Sequence, residues 1–561
     1  MARRGLLGAT AGALAGVALA LTLSHPLWGF LLGLAVGAIH AMATLPTREG
    51  CLDRCMAGAA LGIPLWGLFS VIAVPLLSGA RPQWGAAQMR GHFPALVGWI
   101  LYGAALALLV KVFDHSTTAA IGPEAQPASP DPAPVHRILI LGGGFAGMRT
   151  AACLEEAFQG NPSVAITLVS ETNALLFTPM LAEVAGGSLE PSHISTPLRS
   201  SLHRTAFIRG RVQAIDLERR VVELVDPEAG GERPRPLAYD HLVLALGAVS
   251  NYLGMANVEK LAFNFKTLLD AIRIRNHVIE MFERADREPD PAVRAPMLTF
   301  VIAGGGFAGV ELAGAINDFA HGILADYPNL QEPELRTVLV HSRDRILPEL
   351  SESLARYALR KMVERGIQFR LNTRLTGAEH GKVLLGETAI PAETLVWTAG
   401  TAPNPLLKPL PVEKDKRGAV VVDSTMAVPG HPGVWALGDC AALMDTRRGT
   451  PCPPTAQYAL REARTLAANL HAACSGRPGR PFHFDSLGAL CVVGFQTACA
   501  ELTLPFARSR SIRFSGLLAW LMWRGIYLAK LPGLERKTRV LIDWAIELFF
   551  PRDIVQTIDL E

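Results

Sequence analysis

The chain has 561 residues, 50% hydrophobic and only 18% charged, with a formal net charge of +3. So much apolar surface excludes a disordered chain, and eight cysteines in this length exclude a disulfide-knit one. Near-neutrality argues against nucleic acid as a partner.

Charge is unevenly placed. Residues 1–115 hold seven basic and three acidic residues, and the rest is balanced at 46 basic and 47 acidic. No charge occurs from Gly5 to Thr47, from Cys55 to Ala80, or from Gly91 to Val110. A membrane-crossing helix needs about 20 apolar residues. The head therefore predicts four spans, near 5–23, 27–44, 56–77 and 93–112, with Trp84 at an interface. Arg3 and Arg4 favour a cytoplasmic N-terminus. Four spans then return the chain to that side, so the expectation is a multi-pass protein of the inner (cytoplasmic) membrane whose body faces the cytoplasm. Reading 1–23 as a cleaved signal peptide leaves the body on the same side. The head lacks evident intramembrane carboxylates or lysines, which disfavours a pump. Residues 116–134 carry five prolines and no Lys or Arg, a stiff extended linker.

The body opens with an apolar strand, His136–Leu141, then Gly-Gly-Gly-Phe-Ala-Gly (142–147) and an Ala-rich helix. Gly142 permits the tight turn, Gly144 lets backbone approach a pyrophosphate, and Gly147 lets helix pack on strand. A second strand is expected at 164–169, followed by Glu171 as acceptor for ribose hydroxyls. The hexapeptide recurs after Leu298–Ala303, with Gly304, Gly306 and Gly309 in the same roles. Gly433–Asp439 is an apolar strand ending in Gly438-Asp439, a carboxylate placed to bind a ribityl hydroxyl. The strand ends at 242–247 and 395–400 connect the two units. The fold class is α/β: two Rossmann-like units, the second inserted in the first, preceded by an all-α transmembrane region and followed by a C-terminal amphipathic helical segment. The expected boundaries are 1–115, 116–134, 135–295 (first unit), 296–410 (second unit), 411–505 (first unit resumed) and 506–561.

This order resembles the two-dinucleotide-binding flavoproteins, in which the first unit binds FAD and the second NAD(P)H. The resemblance implies that Gly142, Gly144, Phe145, Ala146, Gly147, Glu171, Val212, Gly247, Gly438 and Asp439 hold FAD. It implies that Gly304, Gly306 and Gly309 hold the nicotinamide cofactor. No CxxxxC follows the first unit's strands, so a thiol relay is not expected. Cys153 and Cys440 read as small buried hydrophobes. Cys51 and Cys55 lack partners for a zinc site, and no metal is expected.

Residues 175–189 are similar to the Leu-Phe-x-Pro-Leu-Leu-x-Glu-Val-Ala-x-Gly segment of type II NADH dehydrogenases. Gly309–Gly314 puts Glu311 beside the nicotinamide in that family. Pro453–Ala459 resembles the family's quinone motif, AQxAxQ, which implies a quinone site at Pro454, Ala456, Gln457 and Arg461. Arg461 stands where the family has Gln. His341 stands where the family has the Glu that binds the NADH ribose, and Arg343 follows. That exchange suits NADPH as well as NADH, while Arg343 as a solvated loop charge is the alternative. The resemblance implies hydride transfer from NAD(P)H to non-covalent FAD, then two electrons to menaquinone or ubiquinone, without proton pumping. Glu311 is expected either to poise a proton or to bind ribose. A sulfide:quinone type of oxidoreductase and a membrane-docked redox sensor are the alternatives, and a homodimer is left open. From Arg508 to Arg552 nine basic and three acidic residues are interleaved with aromatics. This reads as an interfacial helix on the lipid bilayer, with an ordinary packed helix as the alternative.

Overall fold

A computed structural model describes residues 9–17, 32–38, 50–77, 93–118, 136–225, 234–504 and 507–556, with Leu19, Gly79 and Pro82 beside them. The first two expected spans are described only in part, at 9–17 with Leu19 and at 32–38, where 9–17 and 32–38 are helical, and Trp84 lies outside the described residues. Helix α1 (Cys51–Trp66) continues through a π-helical stretch, Gly67–Ala73, into Val74–Leu77. It starts five residues before the expected 56 and takes in Asp53. Helix α2 (Phe93–Thr118) runs three residues into the expected linker, whose remainder is not among the described residues. Cys51–Leu76 and Phe93–Val112 are each long and apolar enough to cross a membrane.

Glycine sets the packing of these helices. A Cβ on Gly58 would lie 2.2 Å from the Gly103 carbonyl, and one on Gly62 would lie 2.3 Å from that of Trp99. Small residues let the two backbones touch, the packing favoured between apolar helices. Trp66 and Trp99 are buried in this contact, with Trp99 Nε1 donating to Ser70 Oγ at 2.9 Å.

The body begins with β1 (His136–Leu141), α3 (Phe145–Ala157), β2 (Val164–Ser170), β3 (Ala206–Arg209) and β4 (His241–Leu244). It continues with β5 (Phe263–Asn264), α4 (Leu268–Arg287), β6 (Thr299–Ala303), α5 (Phe307–Ile323), β7 (Arg336–Val340), β8 (Gln368–Arg370) and β9 (Thr394–Trp397). Then come β10 (Val434–Ala436) and α6 (Ala456–Cys474). The first sheet is parallel, in the order β10-β4-β1-β2-β3; the second is parallel, in the order β5-β9-β6-β7-β8. Every residue of β6 is buried, as expected of a parallel strand covered on both faces. Antiparallel pairing of Ala248–Ser250 with Thr401–Pro403 joins the two units.

The expected division at 295/296 therefore falls inside the second unit. Phe263–Asn264 is an edge strand of that unit's sheet. Helix α4, held by a Thr267–Asp270 capping box, packs Phe282 on Phe300 of β6.

The division at 505/506 is also corrected. Strands β11 (Gly488–Gly494), β12 (Thr497–Leu504) and β13 (Ala507–Gly516) form one antiparallel sheet, so the expected boundary falls between two strands that pair with each other. Helices α7 (Leu517–Lys530) and α8 (Leu534–Glu547) follow. The expected interfacial helix is a packed one for α7: Trp520, Met522, Trp523 and Arg524 are buried. A Cβ on Gly525 would meet the Ala60 carbonyl at 2.7 Å, so α7 lies directly on α1. Lys537 Nζ on α8 reaches Asp53 Oδ1 at 2.5 Å, with 2% and 8% of the side chains exposed. Beyond this contact α8 shows apolar surface at Leu541, Ile542 and Ile546, and the chain just after it at Leu548, Phe549 and Phe550.

Candidate active site

The two glycine turns fit phosphate-bearing cofactors. Gly142 has φ +110°, and a Cβ there would lie 2.2 Å from the Ala245 carbonyl. A Cβ on Gly147 would lie 1.8 Å from the Gly142 carbonyl, whereas one on Gly144 would meet nothing within 4 Å. The turn is closed behind and open in front of the α3 N-terminus, whose free N–H groups attract anions. Gly304 (φ +125°), Gly309 and Gly306 repeat this arrangement, with 1.9 Å from a Gly309 Cβ to the Gly304 carbonyl. Phe145 and Ala146 open α3, and Ala146 lies beneath Gly438, 3.3 Å from where its Cβ would be.

The other residues expected at FAD lie at the same end of the first sheet. Val212 is buried on the strand Arg211–Asp216. Gly247 (φ +66°) faces open space, and its carbonyl accepts from Asn404 N at 3.3 Å. Gly438 and Asp439 form a single turn after β10, where Gly438 N donates to buried Glu462 Oε2 at 2.7 Å. Burial pushes the Glu462 pKa up to about 7, against the Gly438 hydrogen bond. Glu462 was missed in the sequence; its place two turns into α6 carries no motif. Glu171 is exposed and paired with Arg211 at 3.4 Å.

The sheet registers align the two units around His341. Leu141 pairs with Val169 and Ala303 with Val340, so His341 is the counterpart of Ser170, and Ser342 is that of Glu171. His341 Nδ1 accepts from Gly305 N at 3.1 Å, which pins the ring behind the turn. Burial first, then Arg343, lowers its pKa. Arg343 itself is exposed.

Gln457, expected at the quinone, is hydrogen-bonded within the protein. Its Oε1 accepts from Leu487 N at 2.8 Å and its Nε2 donates to Gly488 O at 3.3 Å. The amide thus ties the start of α6 to β11. Pro454 is exposed and Ala456 opens α6. Arg461 stacks over Phe484 at 5.4 Å, and burial, then Arg464 and Arg149, lowers its pKa. The side chains that instead lead from the first glycine turn to the C-terminal unit are aromatic. Phe145 meets Phe177 at 5.8 Å, Phe177 meets Tyr527 at 6.1 Å, and Tyr527 meets Trp523 at 4.7 Å between centroids.

Glu311, on the second turn of α5, accepts from Val492 N at 3.2 Å. Burial drives its pKa up to about 8. It lines a narrow cavity of about 40 Å³ with Glu183, Asp318, Glu547, Arg524 and Arg552. That volume holds a few waters and no ring. Glu183 is pushed up to about 7 by burial, which Arg524 opposes. Arg524 pairs with Glu547 at 2.7 Å and lies between Trp520 and Trp544, 3.8 and 4.6 Å from the ring centroids. Trp544 Nε1 donates to Glu183 at 3.2 Å. Two of the cavity's carboxyls, Glu311 and Glu183, are thus brought by burial into the range where they exchange a proton near neutral pH.

Cys153 and Cys440 are buried, and burial raises both thiols, Cys440 to about 11. Neither is a nucleophile at neutral pH.

A sequence model of the pyridine nucleotide-disulphide oxidoreductase family matches residues 136–463, and one of the NDH2 C-terminal domain matches 487–553. Type II NADH:quinone oxidoreductase NdhA of Mycobacterium tuberculosis is 30% identical, over 73% of this chain and 87% of its own. A probable NADH dehydrogenase of Dictyostelium discoideum is 32% identical, over 69% and 85%. The NDH2 structure from Plasmodium falciparum in complex with NADH superposes with a TM-score of 0.66 at 19% identity, over 75% of this chain and all of that one. Sulfide:quinone oxidoreductase from Aquifex aeolicus shares the fold at a TM-score of 0.57 and 18% identity, over 74% and 95%. The chain belongs to the type II NADH:quinone oxidoreductases, within the pyridine nucleotide-disulphide oxidoreductase family.

Proposed function

We propose that this protein is a membrane-bound NADH:quinone oxidoreductase that uses FAD and pumps no protons. The observation that carries the reading is the pair of glycine cradles on adjoining parallel sheets, followed by the quinone-oxidoreductase type of C-terminal unit. Gly142, Gly144, Gly147 and the Gly438-Asp439 turn would hold FAD, and Gly304, Gly306 and Gly309 the NADH pyrophosphate. FAD, when bound, accepts a hydride and gives up two electrons. The protein's own part is placement and proton supply. Glu462 holds the Gly438 amide, and Gln457 acts as a positioning residue that fixes α6 against β11. Tyr527 and Arg461 border the approach for the quinone ring. Glu311, backed by Glu183 and the water-sized cavity, supplies a proton for quinol formation.

Ser342 and Arg343 lack the acid that would repel a 2′-phosphate, so NADPH is accepted beside NADH. The head and the apolar end of α8 hold the enzyme on the cytoplasmic side of the inner membrane, where menaquinone or ubiquinone is dissolved. The FAD-loaded protein mixed anaerobically with NADH should bleach its flavin absorbance, and added quinone should restore it. Persistent flavin absorbance after NADH would overturn the assignment.

A further inference from the structure

We propose a divalent-metal site of the Zn²⁺ type at His136, His241 and Cys474, at the end of the first sheet opposite the glycine turn. One ligand atom from each of the three lies within 4.8 Å of the others. The fold brings them together. Ile138 pairs with His241 in parallel register, so His136, two residues earlier, shares its face. Their rings lie 5.7 Å apart. Cys474 is the last residue of α6 and comes down on that face.

The donor set and spacing suit zinc. Zn–N of about 2.0–2.1 Å and Zn–S of about 2.3 Å set an N···S edge of about 3.6 Å in a tetrahedron. His241 Nε2 and Cys474 Sγ are 3.5 Å apart. All three residues are half-buried, so solvent would supply a fourth ligand. Neighbouring candidates are already engaged. Asp240 is held by Arg137 through three bonds of 2.7, 2.9 and 3.0 Å, and His471 packs on Phe158 with its Nδ1 facing Arg477. Two imidazoles and a thiol select a borderline-soft cation over Mg²⁺ or Ca²⁺. The ion would clip the first strand, the fourth strand and the end of α6 where the proline-rich segment enters the body. The site is independent of the proposed redox reaction.

The test counts metal. The full-length protein with its flavin is stripped with a chelator, dialysed against buffered zinc sulfate and analysed by atomic absorption. One Zn²⁺ per chain is expected, falling below about 0.1 in Cys474→Ser and His241→Ala. A Cys51→Ser/Cys55→Ser double variant keeps it. His136→Ala, at a strand end, carries the test should another variant lose its flavin. Zinc X-ray absorption should read one sulfur and two nitrogens from the protein. Zinc-free wild type, or undiminished zinc in flavin-retaining variants, overturns the proposal.

Discussion

The same hexapeptide, Gly-Gly-Gly-Phe-Ala-Gly, stands at 142–147 and at 304–309 and folds the same way twice. What distinguishes the two units lies just outside it. Seven residues after the first glycine, α3 carries Arg149 and α5 carries Glu311. Arg149 faces the basic pair Arg461 and Arg464, whereas Glu311 is buried toward the C-terminal unit. Behind the middle glycine, Ser170 fills the first turn and the His341 ring fills the second. One position on, Glu171 is matched by Ser342. The glycine turns have one shape in both places, and the proposed division of cofactors between them rests on these neighbours.

The sharpest way to break the comparison is to fill one cradle at a time. Gly147→Ala places a methyl 1.8 Å from a carbonyl oxygen and should leave protein without flavin, read as flavin absorbance per chain. Gly309→Ala makes the same clash at 1.9 Å in the other unit. It should keep its flavin while the rate of reduction by NADH falls about a hundredfold. Equal flavin loss in both variants would mean that the two units do not divide the cofactors.

Glu311→Gln separates the half-reactions next. Flavin reduction by NADH should hold, and turnover with quinone should fall about ten- to a hundredfold. No change in either half-reaction removes Glu311 from the chemistry. The same carboxyl predicts a stability trend. Its folded pKa of about 8 lies above the ordinary 4.5, so between these values the folded state binds a proton that the unfolded state does not. Stability therefore falls as pH rises through that window. Glu183, at about 7, adds to the slope, and Glu311→Gln should flatten it in denaturant melts across pH.

Legibility in the sequence followed the range of the interactions. Runs such as Ile138–Leu141 and the glycine spacing are local, and strands and turns lie where they predict. Phe263–Asn264 is too short to show a period, and its place is set by pairing with Val396 and Trp397. Trp520, Trp523 and Arg524 have the pattern of a lipid-facing helix. They are core because Glu547, Glu183 and the helix carrying Ala60 close over them. The Asp53–Lys537 pair joins residues 484 apart, and no pattern in either segment marks it. Gln457 was recognisable by motif, yet its amide is spent on Leu487 and Gly488.

Ser342→Glu tests the cofactor difference directly. It gives the second unit the acid that the first has at Glu171. The ratio of kcat/KM for NADPH over NADH should fall about tenfold, through repulsion of the 2′-phosphate. An unchanged ratio would return Arg343 to the status of a solvated loop charge.

Glu171→Gln is the converse change, with the smallest expected effect. Glu171 is 54% exposed and its partner Arg211 60% exposed, so water screens what the carboxylate contributes. A glutamine keeps an acceptor for a ribose hydroxyl and loses only the charge. FAD affinity should weaken about two- to fivefold by equilibrium dialysis, with NADH kinetics of the loaded enzyme unchanged. A loss nearer a hundredfold would mean that the carboxylate is desolvated by the cofactor and grips it as a charged acceptor. The first unit would then select its ligand at the end of β2 as strictly as at its glycines.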